Sequence, residues 1–160
     1  MEPRLEILTK KKLAGLKTEM SFANNKTREL WQMFMPRRAE IINSVGADLY
    51  SLEIYPPDFF KHFNPTSAFE KWAATEVSDF DRVPAGMNVV TIPEGLYAIF
   101  IHKGPAREAA KTYQYIFSTW MPQSNFVVDE RPHFALMGSK YKNDDPDSEE
   151  EIWIPVRKKV

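Results

Sequence analysis

The sequence predicts an α+β fold made of two strand–helix–strand–strand units that together form an antiparallel sheet. Three observations support this prediction. Strand-like and helix-like segments recur in the same order in both halves of the chain, offset by 84 residues for the first strands and by 81 for the last. The helical segment of each half reaches a Met-Pro pair, at Pro36 and Pro122. Apolar residues alternate in the strand-like segments as they do in half-buried strands.

The first two elements of each unit are a strand and a helix. The strand is predicted within "LAGLKTEMSF" (13–22) and again within "YAIFIHKGPA" (97–106). The apolar face of the first helix is Leu30, Met33 and Phe34, with Asn24 or Asn25 as its N-cap. Pro36 is expected to stop or kink this helix. The second helix has an apolar face of residues at helical spacing: Ala109, Tyr113, Ile116, Phe117 and Trp120.

Two further strands complete each unit. They are predicted at 48–56 and 69–77 in the first unit and at 131–139 and 150–158 in the second, with Trp72 and Trp153 at equivalent positions. The segment "TIPEGLYAIF" is expected to join the units, with Pro93-Glu94-Gly95 as a turn or bulge. We expect the pseudo-repeats, about 12–78 and 95–158, to form a single domain over residues 1–160. Both helices should lie on one face of the sheet, with a central ligand cleft.

Strand alternation predicts which side chains line a groove. Ile152, Ile154 and Val156 are assigned to the core beneath a helix, and Trp72 and Trp153 to the opposite, more polar face. The predicted ligand-binding set combines aromatic residues with carboxylates and a histidine: Trp72, Trp153, Tyr55, Phe100, Glu53, Glu76 and His102. Such an aromatic box suits a flat apolar ligand, and each ring attracts a cation by roughly 0.5–2 kcal/mol. The alternative is that a loop or a neighbouring subunit covers each tryptophan.

Two further features of the sequence have alternative interpretations. Glu53 and Glu76 are candidate catalytic acids if they share a dry groove, and are merely solvated if they lie on an exposed strand face. The segment 56–65 contains Phe59, Phe60 and Phe63. We interpret it as a satellite cluster that tethers a loop, with a flap over the groove as the alternative.

The composition excludes several classes of function. A net charge of −1 gives no general attraction to nucleic acid or to a membrane. The absence of cysteine excludes disulfides and thiolate metal sites and suits a reducing cytoplasm. The three histidines lack metal-ligand spacing and no P-loop, GxGxxG or GxSxG motif occurs, so we expect no metal and no cofactor. No apolar run approaches the roughly 20 residues of a membrane span, and a soluble cytoplasmic protein is expected.

Four stretches of the chain closely resemble the GyrI-like small-molecule-binding family. In chain order they are "VPAGMNVVTIPEGLYAIFIHKGP", "FSTWMPQSNF", "DERPHF" and "DPDSEEEIWIPVRK". The family includes effector-binding domains of AraC- and MerR-type transcription regulators, and stand-alone relatives named after a DNA gyrase inhibitor. The resemblance covers most of the chain and is strongest from about 69 to 158. It implies a duplicated strand–helix–strand–strand fold around a central cleft.

The resemblance also implies a function, which is the binding of bulky, often cationic aromatic compounds. Some stand-alone members hydrolyse reactive cyclopropane-containing toxins with a glutamate and aromatic residues of the groove. After "RPHF" many relatives carry a glutamate that is the acidic residue of the pocket, and here that position is Ala135. The equivalent position of the first unit is Glu53, which is therefore the expected acid.

We therefore expect a stand-alone protein that binds a hydrophobic aromatic molecule, neutral or cationic. Two alternatives stay open. One is a hydrolase of strained electrophiles in which Glu53 or Glu76 activates water. The other is a protein-interaction module whose outer aromatic residues bind a partner such as DNA gyrase or a second copy of the chain. About a dozen residues precede the first predicted strand, too few for a helix-turn-helix, so no direct nucleic-acid binding is expected.

Overall fold

The computed structural model describes residues 1–160 and contains nine β-strands and three short α-helices. The strands are β1 (Arg4–Leu8), β2 (Lys11–Met20), β3 (Leu49–Ile54), β4 (Phe69–Glu76), β5 (Asn88–Ile92), β6 (Gly95–Lys103), β7 (Phe126–Val128), β8 (His133–Met137) and β9 (Glu149–Lys158). The helices are α1 (Thr27–Phe34), α2 (Ala109–Tyr115) and α3 (Met121–Gln123). Two 3-10 helices flank them: Met35–Glu40 follows α1, and Ala106–Glu108 precedes α2. A π-helix, Ile116–Trp120, joins α2 to α3.

The strands form one antiparallel sheet in the order β1-β6-β9-β8-β3-β4-β2-β5, and β7 pairs with β9. The same unit occurs twice, as β2-α1-β3-β4 and as β6-α2-β8-β9. In each unit the last strand lies between the other two, and β3 pairs with β8 where the units meet. The predicted α+β fold of two duplicated units is confirmed.

A pseudo-twofold axis passes through the central pair of strands. Leu52 lies opposite Trp72 in the first unit, and Phe134 lies opposite Trp153 in the second. Leu52 and Phe134 also lie opposite each other in the β3–β8 pair, so the axis passes between them. Each residue of β3 therefore corresponds to the residue 82 positions later in β8.

The sequence pattern did not predict β1, β5 or the short strand β7. β1 directly precedes the first unit but pairs with β6 of the second, and β5 precedes the second unit but pairs with β2 of the first. The predicted turn at Pro93-Glu94-Gly95 connects β5 to β6. Because each unit receives its edge strand from the sequence that precedes the other unit, the two are joined along both edges of the sheet.

One face of the sheet carries the helices and holds two separate cores. Beneath α1, the buried side chains are Ala14, Leu16, Leu30, Phe34, Ile41, Ala73, Val77 and Met87. Beneath α2, they are Ala98, Phe100, Ile116, Met121, Ile152, Ile154 and Val156. Ala73 lies opposite Ser51, Ser51 opposite Ala135, and Ala135 opposite Ile152. Residues directly opposite each other in a sheet point to the same face, so both cores lie on one face. The two cores leave the centre of this face free of helices.

The opposite face is buried without any helix. Its core contains eleven side chains, all from strands: Leu8, Leu13, Tyr50, Leu52, Trp72, Ala74, Ile92, Tyr97, Ile99, Phe134 and Trp153. Large side chains of adjacent strands pack against one another and exclude water from this face. Trp153, for example, stacks on Phe134 with ring centroids 5.1 Å apart and an interplanar angle of 18°.

The helix ends differ in detail from the prediction. Asn25 Oδ1 accepts a hydrogen bond from the Thr27 backbone N–H at 2.9 Å, but Lys26 occupies the N-cap position of α1. Pro36 lies in the first turn of the 3-10 helix, which continues the chain beyond α1. Pro122 lies in the first turn of α3, and the second helical segment ends one residue later, at Gln123. No helix in the structure is long and apolar enough to cross a membrane.

The phenylalanine-rich segment 56–65 is anchored as a satellite cluster. Phe59 is buried with Met20 and Phe69. Phe60 reaches the second unit, where its ring stacks on Phe117 at 5.5 Å and lies 5.9 Å from the ring of His133. The segment therefore ties the loop after β3 to the π-helix of the other unit.

Candidate functional site

A cleft between α1 and α2 lies over the centre of the sheet. Its volume is about 540 Å³, within the range of sites that hold drug-sized ligands. The floor is formed by side chains from the central strands: Leu49, Ser51, Glu53, Lys71, Ala135, Met137 and Glu150. The walls come from the two helical segments and the loops beside them: Asn25, Thr27, Trp31, Met35, Ala106, Ala109, Tyr113, Tyr141 and Asn143.

The helical walls obey the pseudo-twofold symmetry. On α1, Leu30 and Phe34 point into the core, and Trp31 follows Leu30 by one residue, or 100° around the helix. On the second helical segment the equivalent buried residues are Thr112, in α2, and Ile116, directly after it. Tyr113 follows Thr112 by one residue and therefore has the position on α2 that Trp31 has on α1. Both aromatic residues line the cleft, so a ligand between the helices meets a ring on each side.

The loop after β8 closes one end of the cleft with Tyr141 and Asn143. The Asn143 carbonyl accepts a hydrogen bond from the Ala106 backbone N–H at 2.9 Å. This bond attaches the loop to the chain just before α2. Asn143 has a positive φ of 55°, which asparagine tolerates better than most residues.

An acid and a lysine lie side by side on the floor. Glu53 on β3 is directly opposite Lys71 on β4, and each residue is only 8% exposed. The Lys71 ammonium is 3.6 Å from Glu53 Oε2, beyond hydrogen-bonding distance. Glu53 Oε2 is buried and has no hydrogen-bond partner. Buried carboxylates normally accept hydrogen bonds, so this oxygen, whose ion-pair partner is Lys71, keeps the capacity to accept one.

Burial controls the ionisation of the floor. It raises the pKa of Glu53, an effect that Lys71 opposes and that the negative charge of Glu150 reinforces. Burial likewise raises the pKa of Glu150, which His102 and Lys71 oppose. The pKa of Tyr113 is raised well above its usual value, first by burial and then by Glu53 and Glu150. The wall tyrosine therefore stays neutral and experiences the field of both acids.

Position 135, where the family resemblance implies a glutamate, lies beside Glu53. Ala135 is opposite Ser51, and Glu53 is opposite His133, so Ala135 and Glu53 are diagonal neighbours across the central pair. Side chains in this relation are roughly 7–8 Å apart. The pseudo-twofold axis relates the two positions. A carboxylate from either one therefore projects into the same central part of the cleft.

The predicted ligand-binding residues do not form one group. Glu53 alone among them lines the cleft, whereas Trp72, Trp153 and Glu76 lie on the opposite face of the sheet. The prediction that the two tryptophans share a groove with Glu53 is wrong, because Leu52, the neighbour of Glu53, is the residue opposite Trp72. Both tryptophans are buried, at 2% and 7% exposure, and are core residues.

The remaining members of the predicted set have structural contacts. Phe100 is buried beneath α2 against Trp120, with ring centroids 5.2 Å apart. Tyr55 lies among the rings of the satellite cluster, 4.9 Å from His133. Neither of these two aromatic residues lines the cleft.

His102 and Glu76 are also paired within the protein. His102 is buried with Nδ1 2.7 Å from Thr112 Oγ1 and Nε2 3.0 Å from the Pro105 carbonyl oxygen. Glu76 forms an ion pair with Lys11 at 3.4 Å. Because Glu53 and Glu76 lie on opposite faces, they cannot share a groove as a pair of catalytic acids.

The prediction missed Trp31, Tyr113, Tyr141, Lys71 and Glu150. One signal was present in the sequence, since Trp31 and Tyr113 are separated by the same 82 residues as Leu52 and Phe134. The aromatic residue at each of these positions adjoins the buried stripe of its helix. Lys71 carried no comparable signal, because its equivalent in the second unit is Ile152.

The residues of the "RPHF" stretch (131–134) do not line the cleft themselves, but they hold the next residue, Ala135, in its floor. Arg131 donates hydrogen bonds to the carbonyl oxygens of Leu96 and Val156 at 2.7 and 3.2 Å, and lies over the ring of Tyr97. The Tyr97 hydroxyl donates to the Pro132 carbonyl oxygen at 2.8 Å. These contacts fix the start of β8 and hence the position of residue 135.

Comparison with known proteins gives one family and a consistent set of relatives. A model of the GyrI-like small-molecule-binding domain matches residues 1–157. The transcriptional regulator BrlR of Pseudomonas aeruginosa is 27% identical over 130 residues, which cover 80% of this chain and 45% of that protein. The chain thus spans about half the length of this curated relative.

Two solved structures are similar in fold. SAV2435 bound to tetraphenylphosphonium has a TM-score of 0.76 and 20% identity, covering 98% of this chain and 94% of that one. EcmrR in a complex with DNA has a TM-score of 0.72 and 16% identity, covering 99% of this chain and 58% of that one. At these identities the likeness establishes a common fold.

Proposed function

Because the chain belongs to the GyrI-like small-molecule-binding family, we propose that its cleft binds a bulky hydrophobic ligand that carries a positive charge. The observation that carries this proposal is the buried Oε2 atom of Glu53, which has no hydrogen-bond partner and lies on the floor of the cleft. A buried carboxylate without such a partner is costly. A ligand cation placed near this atom would offset part of the cost.

The walls account for the hydrophobic part of the ligand. Trp31 and Tyr113 face the space between the helices from opposite sides, and Met35 and Met137 add flexible apolar surface. Aromatic rings bind flat or multi-ring compounds by stacking, and they attract cations through their faces. The cleft volume of about 540 Å³ accommodates a compound of several rings.

The charge of the floor favours a cation over an anion. Three charged side chains line the cleft, Glu53, Glu150 and Lys71, so the floor carries one net negative charge when all three are ionised. The similarity to SAV2435, which was solved with tetraphenylphosphonium, supports the same ligand class here. Tetraphenylphosphonium is therefore a suitable probe.

The test is a calorimetric titration of the natural chain and two variants with tetraphenylphosphonium. Glu53→Gln removes the buried acid at the centre of the floor, leaving Glu150, and should weaken binding about tenfold. Glu76→Gln makes the same chemical change on the opposite face and should leave the affinity within about twofold. Failure of the natural chain to bind, or a Glu53→Gln variant that binds as tightly as the natural chain, would contradict the proposal.

A further inference from the structure

We propose that Lys71 is a specificity-determining residue of the cleft, which limits how strongly the floor prefers lipophilic cations over lipophilic anions by neutralising one of the two acids of the floor. This inference rests on the proposed function and specifies the charge of its ligand. Lys71 lies on β4 beneath the space between the helices and lines the cleft. Its ion-pair partner is Glu53, at 3.6 Å.

The duplicated fold does not require a lysine at this position. The residue related to Lys71 by the pseudo-twofold axis is Ile152, which is fully buried in the core beneath α2. The residue related to Glu53 is Ala135. The second unit thus builds the same part of the sheet with two apolar side chains, and the charged pair is confined to one side of the cleft.

Stability does not explain the pair either. A buried ion pair is weak evidence for stability, because the cost of removing two charges from water often exceeds their attraction. Here the two groups are too far apart for a hydrogen bond, and Glu53 Oε2 has no other partner. The charge of Lys71 is therefore better explained by what enters the cleft than by packing.

The electrostatic effect on a ligand follows from the charges around Lys71. With Lys71 ionised, its positive charge offsets part of the attraction that Glu53 and the half-buried Glu150 exert on a cation, and the floor keeps one net negative charge. His102, directly opposite Glu150, has both ring nitrogens engaged by Thr112 and Pro105. A monovalent cation then brings the floor to neutrality. Without Lys71, the floor would carry two negative charges and would attract cations more strongly.

The experiment compares two ions of nearly identical shape and opposite charge, tetraphenylphosphonium and tetraphenylborate, by calorimetric titration in sodium buffer. The natural chain should prefer the cation. Lys71→Met keeps the length of the side chain and removes its charge, so the ratio of the two dissociation constants should shift about tenfold or more toward the cation. Lys17→Met is the matched control, because Lys17 lies over the Trp72 ring on the opposite face. It causes the same change in net charge and should leave the ratio unaltered.

Lys71→Gln provides a second neutral variant if Lys71→Met does not fold, as judged by circular dichroism. A folded neutral variant that keeps the charge preference of the natural chain, or that binds the cation less tightly, would overturn this proposal alone. If the natural chain binds neither ion, the proposed function fails and this inference fails with it.

Discussion

Trp72 and Trp31 should respond to truncation in opposite ways, because one belongs to the strand-only core and the other to the wall of the cleft. Trp72 is 2% exposed and is surrounded by side chains from adjacent strands. Replacing a buried tryptophan by alanine typically costs about 3–5 kcal/mol through lost burial and the cavity that remains. The Trp72 Nε1 hydrogen bond ends on Glu70, whose side chain is 38% exposed and can be solvated instead. The loss of this bond should therefore add little.

Trp31→Ala is the matched comparison. Trp31 is half-buried and makes an edge-to-face contact with Phe34 at 5.7 Å. Its truncation should cost less than about 2 kcal/mol of stability, since water can enter the space it leaves. Loss of one aromatic wall should weaken tetraphenylphosphonium binding by about 1 kcal/mol or more, close to a tenfold change in affinity.

Urea unfolding followed by circular dichroism measures the first effect. With a slope of about 2 kcal/mol per molar urea, Trp72→Ala should lower the midpoint by about 2 M and Trp31→Ala by less than about 1 M. Calorimetric titration without urea measures the second effect, and Trp72→Ala should bind as the natural chain does. If folded Trp72→Ala loses binding while Trp31→Ala retains it, the assignment of these residues to opposite faces is refuted.

Variants at two further positions test the placement of residue 135 and the role of the buried His133. Ala135→Glu should strengthen tetraphenylphosphonium binding several-fold in calorimetric titration, because it adds an acid across the pseudo-axis from Glu53 to the two that the floor already has, whereas Ala135→Gln should not. Equal affinities for the two variants would contradict this placement of residue 135. Burial lowers the pKa of His133 to about 3 in the folded protein. Between about pH 6.5 and pH 3 the unfolded protein therefore binds a proton at His133 and the folded protein does not. The free energy of unfolding consequently decreases as the pH falls through this range. His133→Phe should lose less stability than the natural chain between neutral pH and about pH 4 in urea unfolding, and an unchanged pH dependence would exclude His133 as its source.

Local pattern in the sequence determined the order of the elements and the two faces of each strand. Ile152, Ile154 and Val156 alternate with Trp153 along β9, and the structure places them beneath α2 while Trp153 lies on the other face. The two faces can be assigned from sequence because successive side chains of any strand point to opposite faces, which is a property of the extended backbone alone. The duplication was visible for the same reason, since each unit repeats the same succession of local patterns.

Alternation within one strand separates its side chains into two faces, but it does not determine which of them lies on the same side of the sheet as a given face of the neighbouring strand. This choice is set by the register of the hydrogen bonds between two strands that are distant in sequence. A shift of the register by one residue exchanges the two faces of the strand. The register that places Leu52 opposite Trp72 therefore separates Glu53 from both predicted tryptophans, and the sequence contains no local signal for it. The burial of the helix-free face likewise depends on contacts among eight strands. The same holds for the cleft: Trp31, Tyr113 and Lys71 come together only when the two units meet at the β3–β8 pair, because the site lies on the axis between them.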